Sequence, residues 1–413
     1  MDREVPRDLR IGGVETSDVD LDAAVREGWE SVEAGARPLL RRLEATQWSG
    51  YPEMSFLTGG YRLVPSYTVT QEGYFQWIGF LAGRLWLLFL VTGDEEFASA
   101  AAKLARKIAP TLELTSHTNA DVGFDIYYAL CLGAEITHDA TLIASARRAV
   151  RAMSSLFMRE SGTFAQMLPF RASVIDTGGM LLAQLWSARW GSEDAELARR
   201  HFRSVLDIGL VRGDGTTAQR VEFDGAGAVS GELHTIQGSG NGSTWSRGQA
   251  WAIHGYVSAF ECFGDEEFAS AADALIGVML TRLGGRQVPR YDLDVEDRDE
   301  WPLDTCSAAM FATALLRWSR LRGDPTLADR GREILLALLA DHLSPGGVLL
   351  HGTWGRARRR FPLGRFPQED VMPYGNYWVC EAMFRATHSS WSPFDLAPER
   401  CAPAAERQRE KSA

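Results

Sequence analysis

The stretch that decides the fold is Gly93-Asp94-Glu95-Glu96-Phe97-Ala98-Ser99-Ala100-Ala101, which recurs almost unchanged as Gly264-Asp265-Glu266-Glu267-Phe268-Ala269-Ser270-Ala271-Ala272. In each copy a glycine ends one helix, an aspartate caps the next, two glutamates favour its first turn and a phenylalanine anchors it. Looser copies begin at His138, Gly191 and Gly323. Each copy follows an apolar helical stretch and precedes an amphipathic one, so each marks the turn of a helical hairpin.

Repeated hairpins predict a closed ring of helices. A hairpin cannot bury its apolar face alone, so successive hairpins must stack on one another. The helices before the turns are rich in large apolar residues, as in Trp86-Leu87-Leu88-Phe89-Leu90, whereas those after the turns carry charges. This difference predicts an inner and an outer ring. With a sixth hairpin from Leu21 to Leu43, we expect an all-α (α/α)6 toroid; the uneven spacing of the turns argues against an open solenoid.

The composition fits one large catalytic domain. Of the 413 residues, 45% are hydrophobic and 23% charged, an ordinary globular balance. We expect an N-terminal arm at residues 1–20, a single (α/α)6 domain at residues 21–400 and a disordered tail at residues 401–413, because the ends carry few anchoring apolar residues. Short strands are expected only at Val221-Glu222-Phe223 and from Gly347 to Leu350.

The charge balance limits the possible partners. A formal net charge of −11 argues against nucleic acid or an anionic membrane as a general partner. The N-terminus has no apolar segment of the signal-peptide kind, and the apolar run from Phe80 to Thr92 is shorter than the roughly 20 residues that span a bilayer. We therefore expect a cytoplasmic protein that acts on a small molecule.

No metal or cofactor is expected. The five cysteines are scattered, odd in number and form no CxxC pair, which argues against a disulfide framework or a zinc site. The acidic residues Asp292, Asp294, Asp297 and Asp299 fall in a loop without histidine. We interpret that loop as a solvated turn rather than a metal site.

A sugar-binding segment is indicated by Ser243-Thr244-Trp245-Ser246-Arg247-Gly248-Gln249-Ala250-Trp251, which follows a glycine-rich loop. Indole faces stack on sugar rings, and a guanidinium group matches a carboxylate with two parallel hydrogen bonds. Together they predict a site for an acidic sugar. The alternative is that both tryptophans are core aromatics and that Arg247 pairs with a neighbouring aspartate.

Two carboxylates open predicted inner helices, Asp121 and Asp176. Each could simply be an N-cap. However, Asp176 lies between apolar Val174-Ile175 and the pair Gly178-Gly179, which predicts a desolvated carboxyl that a ligand can approach closely. If the two aspartates are neighbours, Asp121 as a carboxylate would keep Asp176 protonated and able to act as a general acid.

From Leu21 to Thr387 the chain resembles glycoside hydrolase family 88, the unsaturated glucuronyl hydrolases. The resemblance is carried by Val174-Ile175-Asp176-Thr177, the segment 244–251, Leu349-Leu350-His351-Gly352 and Tyr374-Gly375-Asn376-Tyr377. It implies an (α/α)6 fold and removal of a 4,5-unsaturated uronic acid from the non-reducing end of an oligosaccharide. It further implies that Asp176 protonates C4 and activates water for attack at C5, with Asp121 as the second carboxylate.

The resemblance also implies a set of sugar-binding positions. Gln237, Arg247 and Trp251 fall on them, and Trp245 lies on the same segment. Gln219 stands where the family has a histidine, and Trp77 is one residue from an expected aromatic position. Because the catalytic carboxylates remain while these neighbours differ, we expect an unusual substrate, with a biosynthetic one included.

Two further features leave alternatives open. The arginine-rich run Arg356 to Arg365 is either a solvated loop or a lid that binds an anionic group on the leaving portion. The activity could also be that of an inverting glycosidase on a saturated acidic sugar, which needs an acid and a base on opposite sides of the bond. A non-catalytic carbohydrate-binding protein and a sugar epimerase with paired histidines are the remaining alternatives.

Overall fold

The computed structural model describes residues 18–48, 50–53, 55–56, 62–65, 78–114, 117, 119–297, 301–355, 369–392 and 394. The predicted tail at residues 401–413, the first 17 residues of the predicted arm, Trp77 and the run from Arg356 to Arg365 lie outside the described residues. The expected domain boundaries therefore stay predictions.

The described helices form two concentric rings. The inner ring consists of α2 (Ile78–Thr92), α4 and α5 (Val122–Asp125 and Leu132–Thr137, joined by the π-helical turn Ile126–Cys131), α7 and α8 (Thr177–Met180 and Leu182–Trp186), α10 (Ser246–Phe263), α12 (Thr305–Arg322) and α14 (Pro373–Thr387). The outer ring consists of α1 (Asp18–Ala45), α3 (Glu95–Leu112), α6 (Ala140–Met153), α9 (Glu193–Ile208), α11 (Glu266–Leu283) and α13 (Pro325–Ala337).

The inner ring is closed. Each inner helix contacts the next along the chain, and α14 returns to pack against α2. Inner helices are buried on all sides, as α12 is from Thr305 to Ser319, whereas outer helices such as α3 bury one face. The predicted (α/α)6 toroid is therefore confirmed. No described helix is long and apolar enough to cross a membrane.

One part of the hairpin prediction was wrong. The segment from Leu21 to Leu43 is not a hairpin but the middle of the single helix α1. Its partner is supplied by the other end of the chain, because α1 packs against α13 and α14. The sixth helix pair thus joins the first helix to the last, a contact that no local turn signal can indicate.

The repeated turns have the predicted local structure, except that Asp265 makes no capping hydrogen bond. Gly93 and Gly264 adopt φ values of +70° and +69°, the left-handed conformation that ends a helix. Asp94 accepts a hydrogen bond from the backbone N–H of Glu96 at 2.9 Å, and Asp139 accepts one from Thr141 at 2.7 Å. These caps begin outer helices.

Short strands line the connections. They are β1 (Gly50–Glu53), β2 (Ser55–Phe56), β3 (Arg62–Pro65), β4 (Phe157–Met158), β5 (Thr163–Phe164), β6 (Ala172–Val174), β7 (Arg220–Glu222), β8 (Gly352–Thr353) and β9 (Glu369–Val371). All pairs are antiparallel: β1 with β3, β4 with β5, β6 with β7, and β9 between β2 and β8. The strand predicted at 221–223 corresponds to β7. The one predicted from Gly347 to Leu350 is absent, since Leu349 makes only a single bridge to Leu343.

Candidate active site

Asp121 and Asp176 each precede an inner helix, α4 and α7 respectively, and neither side chain makes a capping hydrogen bond. The two short helices are in contact, because a Cβ atom at Gly123 of α4 would lie 2.0 Å from the carbonyl oxygen of Met180 at the end of α7. Only glycine permits that approach. The structure therefore brings the two predicted carboxyls to one mouth of the ring and leaves their oxygens free of the helix backbone.

Burial raises the pKa of both carboxyls. The pKa of Asp121 is raised to about 7 by burial and by the charge of Asp176, against a hydrogen bond from Asn119. The pKa of Asp176 is raised by burial to about 6, against the charge of Arg247 and a hydrogen bond from Gln219. Because the charge of Asp176 raises the pKa of Asp121, the last proton of the pair is lost from Asp121, near neutral pH. Asp121, not Asp176 as expected, has the higher pKa, because Arg247 and Gln219 favour the charged form of Asp176.

The pair Gly178-Gly179 does not lie open to a ligand, which corrects the expectation from the sequence. A Cβ atom at Gly178 would lie 2.7 Å from the carbonyl oxygen of Trp251, and one at Gly179 would lie 2.3 Å from its indole Cε3. The glycines thus let α7 approach α10. Trp251 is 3% exposed and its ring centroid lies 5.0 Å from that of Phe124. Its geometry is that of a core aromatic that supports both carboxyl-bearing helix starts; a contact with sugar stays a prediction.

His201 of α9 fixes the turn that carries Asp176. Its Nε2 lies 2.8 Å from Oγ1 of Thr177, and its Nδ1 accepts the backbone N–H of Phe164 at 3.1 Å. Burial lowers the pKa of His201 to about 3, so the ring is neutral and Nε2 is the donor to Thr177. Thr177 Oγ1 in turn donates to the carbonyl oxygen of Val174. Sequence reasoning missed His201, because nothing local connects it with Asp176.

Arg247 is buried between two aromatic rings. Its guanidinium carbon lies 4.5 Å from the ring centroid of Trp245 and 5.1 Å from that of Tyr374. Its Nη1 donates to Oδ2 of Asp304 at 2.6 Å and to the carbonyl oxygen of Thr353, while Nη2 donates to that of Trp354 at 2.9 Å. The alternative interpretation of Arg247, a buried pair with an aspartate, therefore describes its observed contacts. A further contact with substrate stays a prediction.

Asp304 is the acidic partner that sequence reasoning missed. It precedes α12, is fully buried, and its Oδ1 accepts the backbone N–H of Ser307 at 3.2 Å. A usable signal was present, since Asp304 opens an inner helix as Asp121 and Asp176 do. Burial raises the pKa of Asp304, and the charge of Arg247 opposes that shift.

Gln219 and Gln237 form a polar wall beside Asp176. The β6–β7 pair sets this wall, because the N–H of Ile175 donates to the backbone oxygen of Gln219 at 2.9 Å. Oε1 of Gln219 accepts the N–H groups of Ile236 and Gln237 at 2.8 Å each. Its Nε2 donates to Oε1 of Gln237, whose own Nε2 donates to the Trp354 carbonyl at 2.7 Å. That carbonyl also binds Arg247, so the wall is continuous with the guanidinium.

Trp245 lies at the start of α10 and is 2% exposed. Its ring is covered by the guanidinium of Arg247 on one side. Its Nε1 is buried without a hydrogen-bond partner among the described residues. A buried donor of this kind is costly unless another molecule supplies the acceptor. This is consistent with a substrate-binding role for Trp245, which stays a prediction.

The acidic loop departs from the expected solvated turn at one residue: Asp294 and Asp297 are exposed, Asp292 is buried, and Asp299 lies outside the described residues. Asp292 is 1% exposed, and its Oδ2 accepts hydrogen bonds from Ser243 Oγ at 2.7 Å and from the N–H of Ser239 at 2.8 Å. It therefore shapes the glycine-rich loop that leads to Trp245. Across the described ranges, no group of three or more His, Cys, Asp or Glu side chains is placed to hold a metal ion.

The described elements define a class of protein. A closed (α/α)6 toroid that gathers two raised-pKa carboxyls, buried tryptophans and a fixed arginine at one mouth has the construction of a glycoside hydrolase. The comparisons with known proteins agree with this class, although no protein-family model matches the chain.

The relatives are unsaturated glucuronyl hydrolases. The enzyme of that name from Bacillus sp. (strain GL1) is 27% identical over 326 residues, 74% of this chain and 85% of the relative. The one from Formosa agariphila is 24% identical over 329 residues, 74% of this chain and 78% of the relative. An unsaturated chondroitin disaccharide hydrolase from Streptococcus pyogenes serotype M1 is 23% identical over 337 residues, 76% of this chain and 82% of the relative.

Solved structures show the same fold. An unsaturated glucuronyl hydrolase specific for heparin superposes with a TM-score of 0.76 at 21% identity, over 90% of this chain and 98% of the other. The Bacillus sp. GL1 enzyme superposes with a TM-score of 0.77 at 21% identity, over 92% and 100%. The resemblance to glycoside hydrolase family 88 is thus confirmed, and the chain is a divergent relative of the unsaturated glucuronyl hydrolases.

Proposed function

We propose that this chain is a hydrolase that hydrates the C4=C5 double bond of a 4,5-unsaturated uronic acid and thereby releases it from an oligosaccharide. The observation that carries the proposal is the pair of carboxyls of buried Asp121 and half-buried Asp176, whose pKa values are raised to about 7 and about 6. An enol ether needs a proton donor and a water-activating base at the same place. A carboxyl whose pKa lies near the working pH supplies both efficiently.

In the proposed reaction Asp176 transfers its proton to C4, and positive charge develops on C5 and the ring oxygen. A water molecule then adds to C5 and returns a proton to Asp176. The resulting hemiketal opens, and the glycosidic bond breaks as a consequence. Asp121 keeps a proton available to the pair, because two neighbouring buried carboxylates do not both stay ionised. Arg247 favours the carboxylate form that Asp176 takes after the proton has left.

The surrounding side chains would orient the sugar. Trp245 offers a buried indole N–H, and the wall of Gln219 and Gln237 adjoins Asp176. The wall is prearranged, because both amides are already held by backbone groups, so little conformational entropy is lost when a sugar hydroxyl binds. Trp77 and the lid from Arg356 to Arg365 belong to the same proposal but lie outside the described residues.

The names of the relatives favour an oligosaccharide with an unsaturated uronic acid, such as an unsaturated chondroitin disaccharide, as the class of substrate. Such a substrate is anionic and small. Nothing in the comparisons supports the expectation of a biosynthetic substrate. The protein's own net charge of −11 means that the sugar carboxylate must be met by local cations.

The test follows the ultraviolet absorbance of the conjugated double bond across a panel of unsaturated disaccharides. We expect absorbance to fall with at least one of them and to stay constant with Asp176→Asn. If sugar is released only from saturated acidic glycosides, the chain is an inverting glycosidase. If disaccharides bind without any turnover, the chain is a carbohydrate-binding protein, and in either case the proposal fails.

A further inference from the structure

We infer that Asp304 is a positioning residue of this site: it fixes the guanidinium of Arg247 beside Asp176 and compensates its charge. Asp304 touches neither Asp176 nor a reacting atom in the proposed reaction, so it acts through Arg247. The kinetic part of the inference rests on the proposed function, whereas the electrostatic part concerns the site itself.

The geometry allows Asp304 one orientation. Its Oδ1 accepts the N–H of Ser307 at 3.2 Å, and its Oδ2 accepts Nη1 of Arg247 at 2.6 Å. The guanidinium is held from two sides, because the carbonyl oxygens of Thr353 and Trp354 accept its other hydrogen bonds. Asp304 belongs to the start of α12, and the two carbonyls belong to the connection that contains β8. Arg247 therefore takes its place only when these two parts of the ring are assembled.

The charges explain why an acidic partner matters. The groups that face the guanidinium are Asp176, Asp304, Tyr374 and Cys306, from three different parts of the ring. Tyr374 is neutral, since burial raises its pKa well above the ordinary value. Asp304 is consequently the group that offsets the charge of Arg247. Without this charge, Arg247 would attract the carboxylate of Asp176 more strongly, and the pair with Asp121 would lose its proton at a lower pH.

A matched buried ion pair exists at the other end of the same helices. Arg317 near the end of α12 donates to Glu261 near the end of α10, with Nη2 and Oε2 2.5 Å apart, and the two side chains are 0% and 5% exposed. Breaking either pair takes a hydrogen-bonded carboxylate away from a buried arginine and lowers stability. Only the pair at Asp304 lies beside the catalytic carboxyls. Glu261→Gln is therefore the control for the purely structural effect.

The experiment compares Asp304→Asn, Asp304→Glu and Glu261→Gln. Asparagine keeps the cap at α12 and removes the charge. We expect Asp304→Asn to move the descending limb of the kcat/KM pH profile to lower pH by about one unit. In Asp304→Glu the descending limb should return to its wild-type pH. Glu261→Gln should lower the melting temperature and leave the descending limb at its wild-type pH. Carbon-13 spectra of aspartate-labelled protein, with the Asp176 signal identified by its loss in Asp176→Asn, measure the same shift without substrate.

The outcomes separate the two proposals. If the Asp176 signal titrates at lower pH in Asp304→Asn while the wild-type protein hydrates no unsaturated sugar, the proposed function fails and the positioning role stands. If Asp304→Asn only loses stability, as Glu261→Gln does, with neither the limb nor the Asp176 titration displaced, the positioning role is overturned whatever the protein hydrolyses.

Discussion

Asp139, which precedes an outer helix, and Asp121 and Asp176, which precede inner helices, occupy the same local position but behave in opposite ways. Asp139, before outer helix α6, accepts the N–H groups of Thr141 and Leu142 at 2.7 and 3.2 Å. Burial would raise its pKa, but these backbone hydrogen bonds and Arg106 outweigh burial, and the pKa is lowered. Asp121 and Asp176, before inner helices, make no capping bond and have raised pKa values.

The difference shows that position before a helix does not decide what a carboxylate does. When its oxygens accept backbone N–H groups, the charged form is stabilised and the group is structural. When burial is not offset by such bonds, the charged form is disfavoured and the proton becomes available near neutral pH. The repeat itself illustrates the point, because Asp265 has the same local sequence as Asp94 but pairs with Arg199 and Arg203 instead of capping α11.

The largest effect is expected from replacing Asp176, the proposed general acid that precedes an inner helix. Asp176→Asn should abolish essentially all turnover, a loss of at least about 10³-fold, because the amide neither donates a proton to C4 nor accepts one from water. Circular dichroism should be unchanged. Asp139→Asn is the matched control and should retain full activity. A residual rate within about tenfold of wild type would show that Asp176 is not the acid.

Arg247→Ala should weaken both the site and the fold. Loss of a charge-assisted hydrogen bond, worth about 1.5–3 kcal/mol, lowers kcat/KM by roughly 10- to 150-fold. The same change leaves Asp304 buried and unpaired, which typically costs about 3–5 kcal/mol of stability. Steady-state kinetics and thermal unfolding measure the two effects separately. A large fall in melting temperature with normal specific activity would restrict Arg247 to a structural role.

Asp121→Asn should change the pH dependence more than the fold. The group that loses its proton near pH 7 disappears, and Asp176, whose pKa is about 6, is left as the last group of the pair to titrate. A general acid works only below its pKa, so the descending limb of the pH–rate profile should move to lower pH by about one unit. If Asp121 were a simple cap, asparagine would replace it without loss. In that case the rate and the profile would both match wild type.

The smallest effects are expected from replacing Asp139, which caps an outer helix. Asp139→Ala should cost about 1 kcal/mol of stability and Asp139→Asn almost none, because asparagine also caps a helix. Neither change should alter kcat. Because the pKa of Asp139 is lowered in the folded state, its stabilising contribution is present above the unfolded pKa and is lost as pH falls through the folded pKa. Urea unfolding at neutral and acidic pH tests both statements; a change in kcat would contradict them.

Much of the ring could be predicted from local sequence. Glycine stops and aspartate caps act within a few residues, so the turns at Gly93, His138, Gly191, Gly264 and Gly323 could be found without knowing the fold. The hairpin expected from Leu21 to Leu43 was wrong for the opposite reason. Its partner, α14, lies at the far end of the chain, and no local pattern reports such a contact.

The sequence by itself determined the class of fold and, with the family resemblance, pointed to Asp121, Asp176 and the segment around Arg247. Only the tertiary structure decided how these residues work. Arg247 and Asp304 are 57 residues apart, and Thr177 and His201 are 24 apart, yet each pair is in hydrogen-bond contact. Which carboxyl has the higher pKa depends on burial and on the distances to such charges. Those quantities arise when distant segments pack together, and therefore no short stretch of the chain encodes them alone.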